Sequence, residues 1–138
     1  MTAVSSRGSR LALGAFAVAF GLATLVEGGH VLFGGPAARA EAGNVVPFVL
    51  QFNFAAGFLY VLTGALTLLG KPVALRLARV LAVATALVFV AFGAHVALGG
   101  AFERRTVVAM TLRTLFWAAQ ALLLRRLATQ TQPEPTGL

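Results

Sequence analysis

The sequence predicts an all-α membrane protein, a bundle of four transmembrane helices built from two parallel helix-pair repeats. Hydrophobic residues make up 59% of the 138 residues and charged residues only 11%, whereas about a quarter of the residues of a soluble domain are charged. The apolar residues form four long segments, each close to the ~20 residues that a helix needs to cross a bilayer. Two nearly identical hexapeptides in the sequence predict the repeat.

The segments are predicted to be helices because lipid offers no hydrogen-bond partners to the backbone. They lie within a transmembrane domain at 10–127, between a short polar segment at 1–9 and a polar tail at 128–138 that we expect to be disordered. The basic start of the chain resembles a signal peptide, but the apolar run continues to Gly35 without an A-x-A cleavage site. We therefore interpret the first segment as an uncleaved span. The helices are expected at about 11–33, 47–69, 74–98 and 106–124.

The basic residues lie mainly at the ends of the apolar segments. On a soluble fold, a net charge of +7 would suggest nucleic-acid binding, but these basic residues form no stripe along one surface. We therefore predict that the partner is a lipid bilayer and not a nucleic acid. If the N-terminus is inside, the cytoplasmic side holds seven Lys and Arg residues and the outer side three, which favours both termini in the cytoplasm. The seven are Arg7, Arg10, Lys71, Arg76, Arg79, Arg125 and Arg126, and the three are Arg39, Arg104 and Arg105.

The sequence contains no motif of a familiar enzyme class. It has no cysteines, which excludes thiol redox chemistry carried by this chain. Walker loops, the H-E-x-x-H motif and the G-x-S-x-G nucleophile elbow are also absent from it. This favours a protein that is not an enzyme and leaves less familiar chemistries open.

The two histidines of the chain open nearly identical hexapeptides, HVLFGG at 30–35 and HVALGG at 95–100. In one interpretation, the glycine pairs end two helices, and each histidine lies favourably near the negative end of a helix dipole. In the other, His30 and His95 meet near the outer surface around a pseudo-twofold axis, as parallel repeats allow. The repeat also pairs Gly28 with Gly93, Asn53 with Arg113, and Tyr60 with Gln120.

Small and polar residues recur every three to four positions, so each set shares one helix face that we expect to point into the bundle. Arg113 lies roughly 10 Å below the start of its helix and Glu27 roughly 12 Å below the end of its own, so Glu27 is the best partner for the arginine. Asn53 lies at a similar depth, and the network either stabilises the helix register or lines a ligand site. The faces carry Gly14, Ala17, Gly21, Thr24 and Gly28 on helix 1, Asn53, Ala56, Tyr60, Thr63 and Thr67 on helix 2, and Thr106, Ala109, Arg113, Phe116 and Gln120 on helix 4. Helix 3 has no clear inward face; His95 shares one face with Ala84, Val88 and Ala91.

Several ligands are compatible with these residues. Glu27 and His30 form an E-x-x-H pair, but di-metal bundles need a second such motif, which the sequence lacks. The alternatives are a single metal ion held by His30, His95 and Glu27, a b-type haem between the two histidines, and a quinone or other small ligand beside Arg113. The leading prediction is that no cofactor is present. The candidate ligand-binding residues are Glu27, His30, Asn53, Tyr60, His95, Arg113 and Gln120.

The stretches SRLALGAFAVAFGLATL and AGFLYVLTGALTLLGKPVALRLARVLAVATALV resemble the DoxX-like group of small bacterial membrane proteins. The first resembles the opening Arg-Leu-x-x-Gly element of that group, and the second its helix 2, basic turn and helix 3. The segment GGAFERRTVVAMTLRT also resembles one in uncharacterised bacterial proteins. The resemblance covers most of 9–125 and implies a four-helix bundle in a bacterial inner membrane, in some cases an accessory subunit of oxidase or quinone-linked systems. It implies no catalytic residue.

The sequence is therefore compatible with three functions. The leading one is an accessory or structural inner-membrane subunit, present as a homo-oligomer or within a larger membrane complex. The second is a membrane protein that binds haem, a metal ion, a quinone or another small ligand, with His30 and His95 as candidate ligands. The third is a small-solute transporter that works as an oligomer, although four unbroken helices leave little room for alternating access within one chain.

Overall fold

The computed structural model describes residues 2–132, with side chains from Ser6 onward. These residues form five α-helices, and no strand occurs among them. The predicted all-helical fold with four membrane-spanning helices is confirmed. The helices are α1 (Thr2–Phe33), α2 (Gly35–Ala42), α3 (Pro47–Leu68), α4 (Val73–Ala97) and α5 (Arg104–Gln130).

The outer surface of the bundle is suited to lipid. Four helices, α1, α3, α4 and α5, are long and apolar enough to cross a membrane. Large hydrophobic side chains point away from the bundle along their length; Phe16, Val26, Leu87 and Leu115 are between 63% and 72% exposed. Water would disfavour so much contiguous apolar surface, whereas a bilayer covers it. The chain is therefore a multi-pass membrane protein.

Helix α2 is an element that hydropathy does not predict, because its sequence GPAARAEA is short and polar. Pro36 in its first turn has a suitable φ and needs no hydrogen-bond partner for its nitrogen, and the alanines that follow favour a helix. Gly43 ends the helix with a φ of 75°. Helix α2 packs against α1 and buries Ala38, so it covers one end of the bundle.

Two helices extend past their predicted ends. Helix α1 begins at Thr2 instead of residue 11, since the segment before the span contains no proline to interrupt the helix. Helix α5 continues to Gln130, so residues 128–130 are helical instead of disordered. Pro133 disfavours a helical backbone at the residue before it, which is consistent with an end near this position. Residues 133–138 of the expected tail lie outside the described residues.

The four spanning helices form a ring in the order α1, α3, α4, α5. Helix α1 packs most extensively against α3, whereas its contact with α5 is sparse. A Cβ atom added at Gly64 would lie 2.7 Å from the backbone nitrogen of Val18 and 2.9 Å from the carbonyl oxygen of Gly14. The α1–α3 approach therefore depends on the missing side chain, as is common where membrane helices pack closely.

The two ends of the bundle differ in charge. One end holds the first turns of α1, the α3–α4 turn and the last turns of α5, which line a common cavity; we call it the basic end. The opposite end holds α2 and its loops, and we call it the α2 end. The acidic residues of the described chain, Glu27, Glu41 and Glu103, all lie toward the α2 end.

The substitution Gly64→Ala is expected to destabilise the bundle, because the added Cβ meets the α1 backbone and pushes α1 and α3 apart. We expect the free energy of unfolding, measured by denaturant titration in detergent micelles, to fall by roughly 1–3 kcal/mol. Gly93→Ala is the matched control, since a Cβ at Gly93 meets no atom within 4 Å. It should be neutral or slightly stabilising. Equal losses for both variants would contradict the role of close α1–α3 packing.

Candidate functional site

A cavity of about 400 Å³ opens at the α2 end, between α1, α2, α3 and α5. Val45, Val46 and Val49 form part of an apolar wall. The volume lies within the range of about 300–1,000 Å³ that is typical of small-molecule sites. The polar and charged side chains that line the cavity are Thr24, Glu27, His30, Glu41, Asn53, Arg105, Thr106 and Arg113.

Two sets of hydrogen bonds tie α2 and its loop to α5 at the cavity. Arg105, in the first turn of α5, donates from Nη2 to the carbonyl oxygens of Glu41 at 2.7 Å and Ala42 at 3.0 Å. These carbonyls lie at the C-terminal end of α2, where the helix dipole favours a cation. In the opposite direction, the backbone N–H of Asn44 donates to Oε1 of Glu103 at 2.8 Å. The short helix is therefore held in place by long-range contacts.

Arg113 lines the cavity and has only 7% of its surface exposed. Its Nη2 is 3.9 Å from Oε2 of Glu27, which confirms the predicted pairing, although the distance exceeds that of a hydrogen bond. Its Cζ is 5.8 Å from the centre of the Phe20 ring, within cation–π range. The guanidinium forms no hydrogen bond within the described chain, and its buried Nε has no partner. Arg113 therefore keeps its N–H donors available.

Asn53 brings an unpaired acceptor to the same cavity. Its Oδ1 is buried and has no hydrogen-bond partner. Its Nδ2 lies 3.6 Å from Sδ of Met110, and a thioether sulfur is a weak acceptor. A buried polar group without a partner costs about 1–3 kcal/mol. A ligand that accepts from Arg113 and donates to Asn53 would satisfy both groups.

An aromatic cluster, formed by Phe20, Tyr60, Phe116 and Trp117, fills the centre of the bundle. Tyr60 and Trp117 are fully buried, and their ring centres are 4.8 Å apart. Phe20 stacks on Tyr60 at 5.7 Å and contacts Phe116 at 4.6 Å. Trp117 follows Arg113 by one turn of α5, so the aromatic cluster lies between the cavity and the basic end.

Two of the candidate ligand-binding residues lie in this packed centre and do not line the cavity. Tyr60 belongs to the aromatic cluster, and Gln120 donates from Nε2 to the carbonyl oxygen of Leu13 at 2.9 Å. That hydrogen bond joins α5 to α1, where the two helices otherwise make few contacts. Gln120 therefore has a structural partner, in contrast to Arg113.

The two histidines have different surroundings. His30 is exposed and lines the cavity. His95 does not line it: its Nε2 lies 3.0 Å from the carbonyl oxygen of Ala101, and its ring is 6.2 Å, centre to centre, from Phe48. No three His, Asp or Glu side chains in the described chain are grouped to hold a metal ion. The structure therefore does not gather His30, His95 and Glu27 into the metal site considered above.

The two hexapeptides end their helices in different ways. In HVALGG, Gly99 has a φ of 85°, and both glycine N–H groups donate to carbonyls of the last turn of α4, which is a Schellman motif. In HVLFGG, the N–H of Gly34 donates an ordinary helical hydrogen bond to the carbonyl of His30. Gly35, with a φ of 82°, then begins α2. The local structure therefore gives the repeat no support.

The predicted inward faces agree with the structure on three helices. All five residues of the helix 1 face are buried, and on helix 2 all but Asn53 are buried. Arg113 is buried on helix 4. On helix 3, for which the sequence predicts no clear inward face, Thr85 and Phe92 are buried, whereas Ala91 is exposed. The central part of this helix is almost uniformly apolar, so it lacks the polar residues that mark a face.

Arg105 and Glu41 line the cavity but are not among the ligand-binding residues that the sequence predicts. Their location depends on α2, since Arg105 binds the carbonyls at the end of that helix. The available signal was the run PAARAEA at 36–42, because a proline followed by alanines is typical of a helix start. Hydropathy does not detect so short a polar helix.

No family model matches the chain, and no curated protein or solved structure is significantly similar to it. The resemblance to DoxX-like proteins therefore stays a prediction. The fold and the site define an integral membrane protein with a largely apolar cavity at one end and a buried arginine in its lining.

The substitution Arg113→Met is expected to leave the bundle as stable as before or more stable, because it replaces a buried cation without hydrogen bonds by an apolar side chain of similar length. Denaturant unfolding in micelles measures this. Glu27→Gln should lower the free energy of unfolding by no more than about 1 kcal/mol, since an exposed ion-pair partner contributes little. A loss above about 3 kcal/mol for Arg113→Met would instead indicate a structural ion pair.

Proposed function

We propose that this protein binds a small amphipathic molecule in the cavity at the α2 end. The ligand presents oxygen acceptors to Arg113 and an apolar body to the valine wall. The observation that carries the proposal is a guanidinium that is buried, forms no hydrogen bond in the described chain and lines an open cavity.

The cost of Arg113 argues against a purely structural role. An arginine near the centre of a membrane helix costs about 2.5–3.5 kcal/mol on insertion scales. A structural arginine would recover this through short hydrogen bonds, but Glu27 is 3.9 Å away and its side chain is 78% exposed. Ionisable residues within membrane helices commonly mark functional sites. A ligand that accepts hydrogen bonds from Arg113 would explain why a buried arginine lies beside an open cavity.

A quinone is the ligand class that fits these groups best. Its carbonyl oxygens accept hydrogen bonds from Arg113, and the hydroxyl of its reduced form can donate to Oδ1 of Asn53. A carboxylate would suit Arg113 equally well, but a simple carboxylate lacks the donor for Asn53 that a quinone gains when it is reduced.

We further propose that the cavity faces the outer side of a bacterial inner membrane and that both termini are cytoplasmic. Seven Lys and Arg residues lie toward the basic end, and no acidic residue of the described chain lies there, which is the distribution that the positive-inside rule predicts. The bacterial membrane rests on the resemblance to the DoxX-like group. The accessory-subunit and transporter functions stay predictions, because no described feature favours either over ligand binding.

Binding is tested on the full chain in detergent by titration with menadione, a quinone probe, and with 2-naphthoate, a carboxylate probe. Trp117 is the one tryptophan of the sequence, and its fluorescence reports a ligand bound one helical turn away. We expect saturable quenching by menadione. Arg113→Met should weaken the apparent affinity by tenfold or more, as expected for a lost charged hydrogen bond of about 1.5–3 kcal/mol.

Arg104→Met is the matched control for this titration. Arg104 lies in the first turn of the same helix, but it does not line the cavity, so the control removes an equal charge and should bind menadione like the wild type. Quenching that never saturates, or equal losses in the two variants, would contradict the proposal. Saturation by 2-naphthoate alone would assign the site to carboxylates.

A further inference from the structure

A second cavity, of about 280 Å³, lies at the basic end, between α1, the α3–α4 turn, α4 and α5. Among the described residues that line it, Arg10 and Lys71 are cations and none is acidic. Leu75, Leu124 and Leu127 contribute an apolar wall. The aromatic cluster lies between this cavity and the one at the α2 end, so the proposed ligand site does not account for it.

Arg10 lies against the α3–α4 turn. The turn is a Schellman motif, in which the N–H of Lys71 donates to the carbonyl of Leu66 at 2.9 Å and that of Gly70 to Thr67 at 3.0 Å. Gly70 has a φ of 68°, and a Cβ added there would lie 2.8 Å from Nη1 of Arg10. The backbone conformation therefore favours a glycine, and the guanidinium lies in the space that a side chain at this position would take.

Arg10 has no counter-charge in the described chain. Its Nε is buried and has no hydrogen-bond partner, and it forms no ion pair with a described carboxylate. The described acidic residues lie toward the opposite end of the bundle. Two cations held in a concave site without an anion raise the local positive potential and favour binding of an anion.

We propose that this cavity binds a phosphate group, with Arg10 as a forked donor and Lys71 as a compact positive charge. The phosphate belongs either to the headgroup of an anionic phospholipid or to free phosphate. The lipid is favoured, because the leucine wall and the sparse contact between α1 and α5 leave room for an acyl chain beside the cations. Basic pockets between membrane helices are known to hold anionic headgroups.

Native mass spectrometry of the full chain, released from detergent, tests the lipid. Phosphatidylglycerol and phosphatidylcholine with the same acyl chains are compared as probes. We expect phosphatidylglycerol to bind tenfold or more tightly, and the double variant R10Q and K71Q to lose this preference. Lys71→Gln alone changes an exposed turn residue without disturbing the helices, and it should weaken the preference at least threefold even if the double variant folds poorly.

The matched control is the double variant R79Q and R126Q, which removes two exposed charges from the same end without altering the lining of the cavity. It should keep the lipid preference. An equal loss in both double variants indicates diffuse surface attraction and overturns the proposal. Inorganic phosphate, titrated by phosphorus NMR, distinguishes the sources: saturable binding that displaces phosphatidylglycerol assigns the site to free phosphate, and no displacement assigns it to the lipid. A wild type that neither prefers phosphatidylglycerol nor binds phosphate also overturns the proposal.

Discussion

The close contact between α1 and α3 determines where the rest of the bundle leaves space. Gly14 and Gly21 on α1, with Gly57 and Gly64 on α3, stand where a Cβ would collide with the facing helix. Helices in lipid gain little from hydrophobic burial against each other, so close packing of small residues decides which pair approaches most closely. Helix α1 touches α5 only sparsely, and both cavities lie along that loosely packed side.

Each cavity is lined by an arginine whose Nε has no hydrogen-bond partner within the described chain. Arg113 at the α2 end and Arg10 at the basic end both have a buried Nε without an acceptor. Gln120 differs from them: its side chain is also buried, but it donates a hydrogen bond to α1. Since an unpaired buried donor is costly, a ligand in each cavity would supply the acceptor that the described surroundings of the two arginines lack.

The charges at the two ends differ, because the described residues of the α2 end carry both signs and those of the basic end carry only positive charge. At the α2 end, Arg105 and Glu103 bind backbone groups around α2 and so hold the mouth of the cavity. At the basic end, the guanidinium of Arg10 lies against the α3–α4 turn, in the space that a side chain on Gly70 would take. The first end is held by internal hydrogen bonds, whereas the described residues of the second supply no negative charge to balance its cations.

Composition and periodicity were sufficient to predict the four spans, the inward face of α1 and the pairing of Arg113 with Glu27, because lipid penalises polar groups strongly and helices repeat every 3.6 residues. They could not predict helix α2, the surroundings of His95 or the buried face of α4. These features depend on contacts between residues far apart in the chain, such as Arg105 with the end of α2. The cavity itself is of this kind, since its lining comes from four helices whose mutual approach no local pattern encodes.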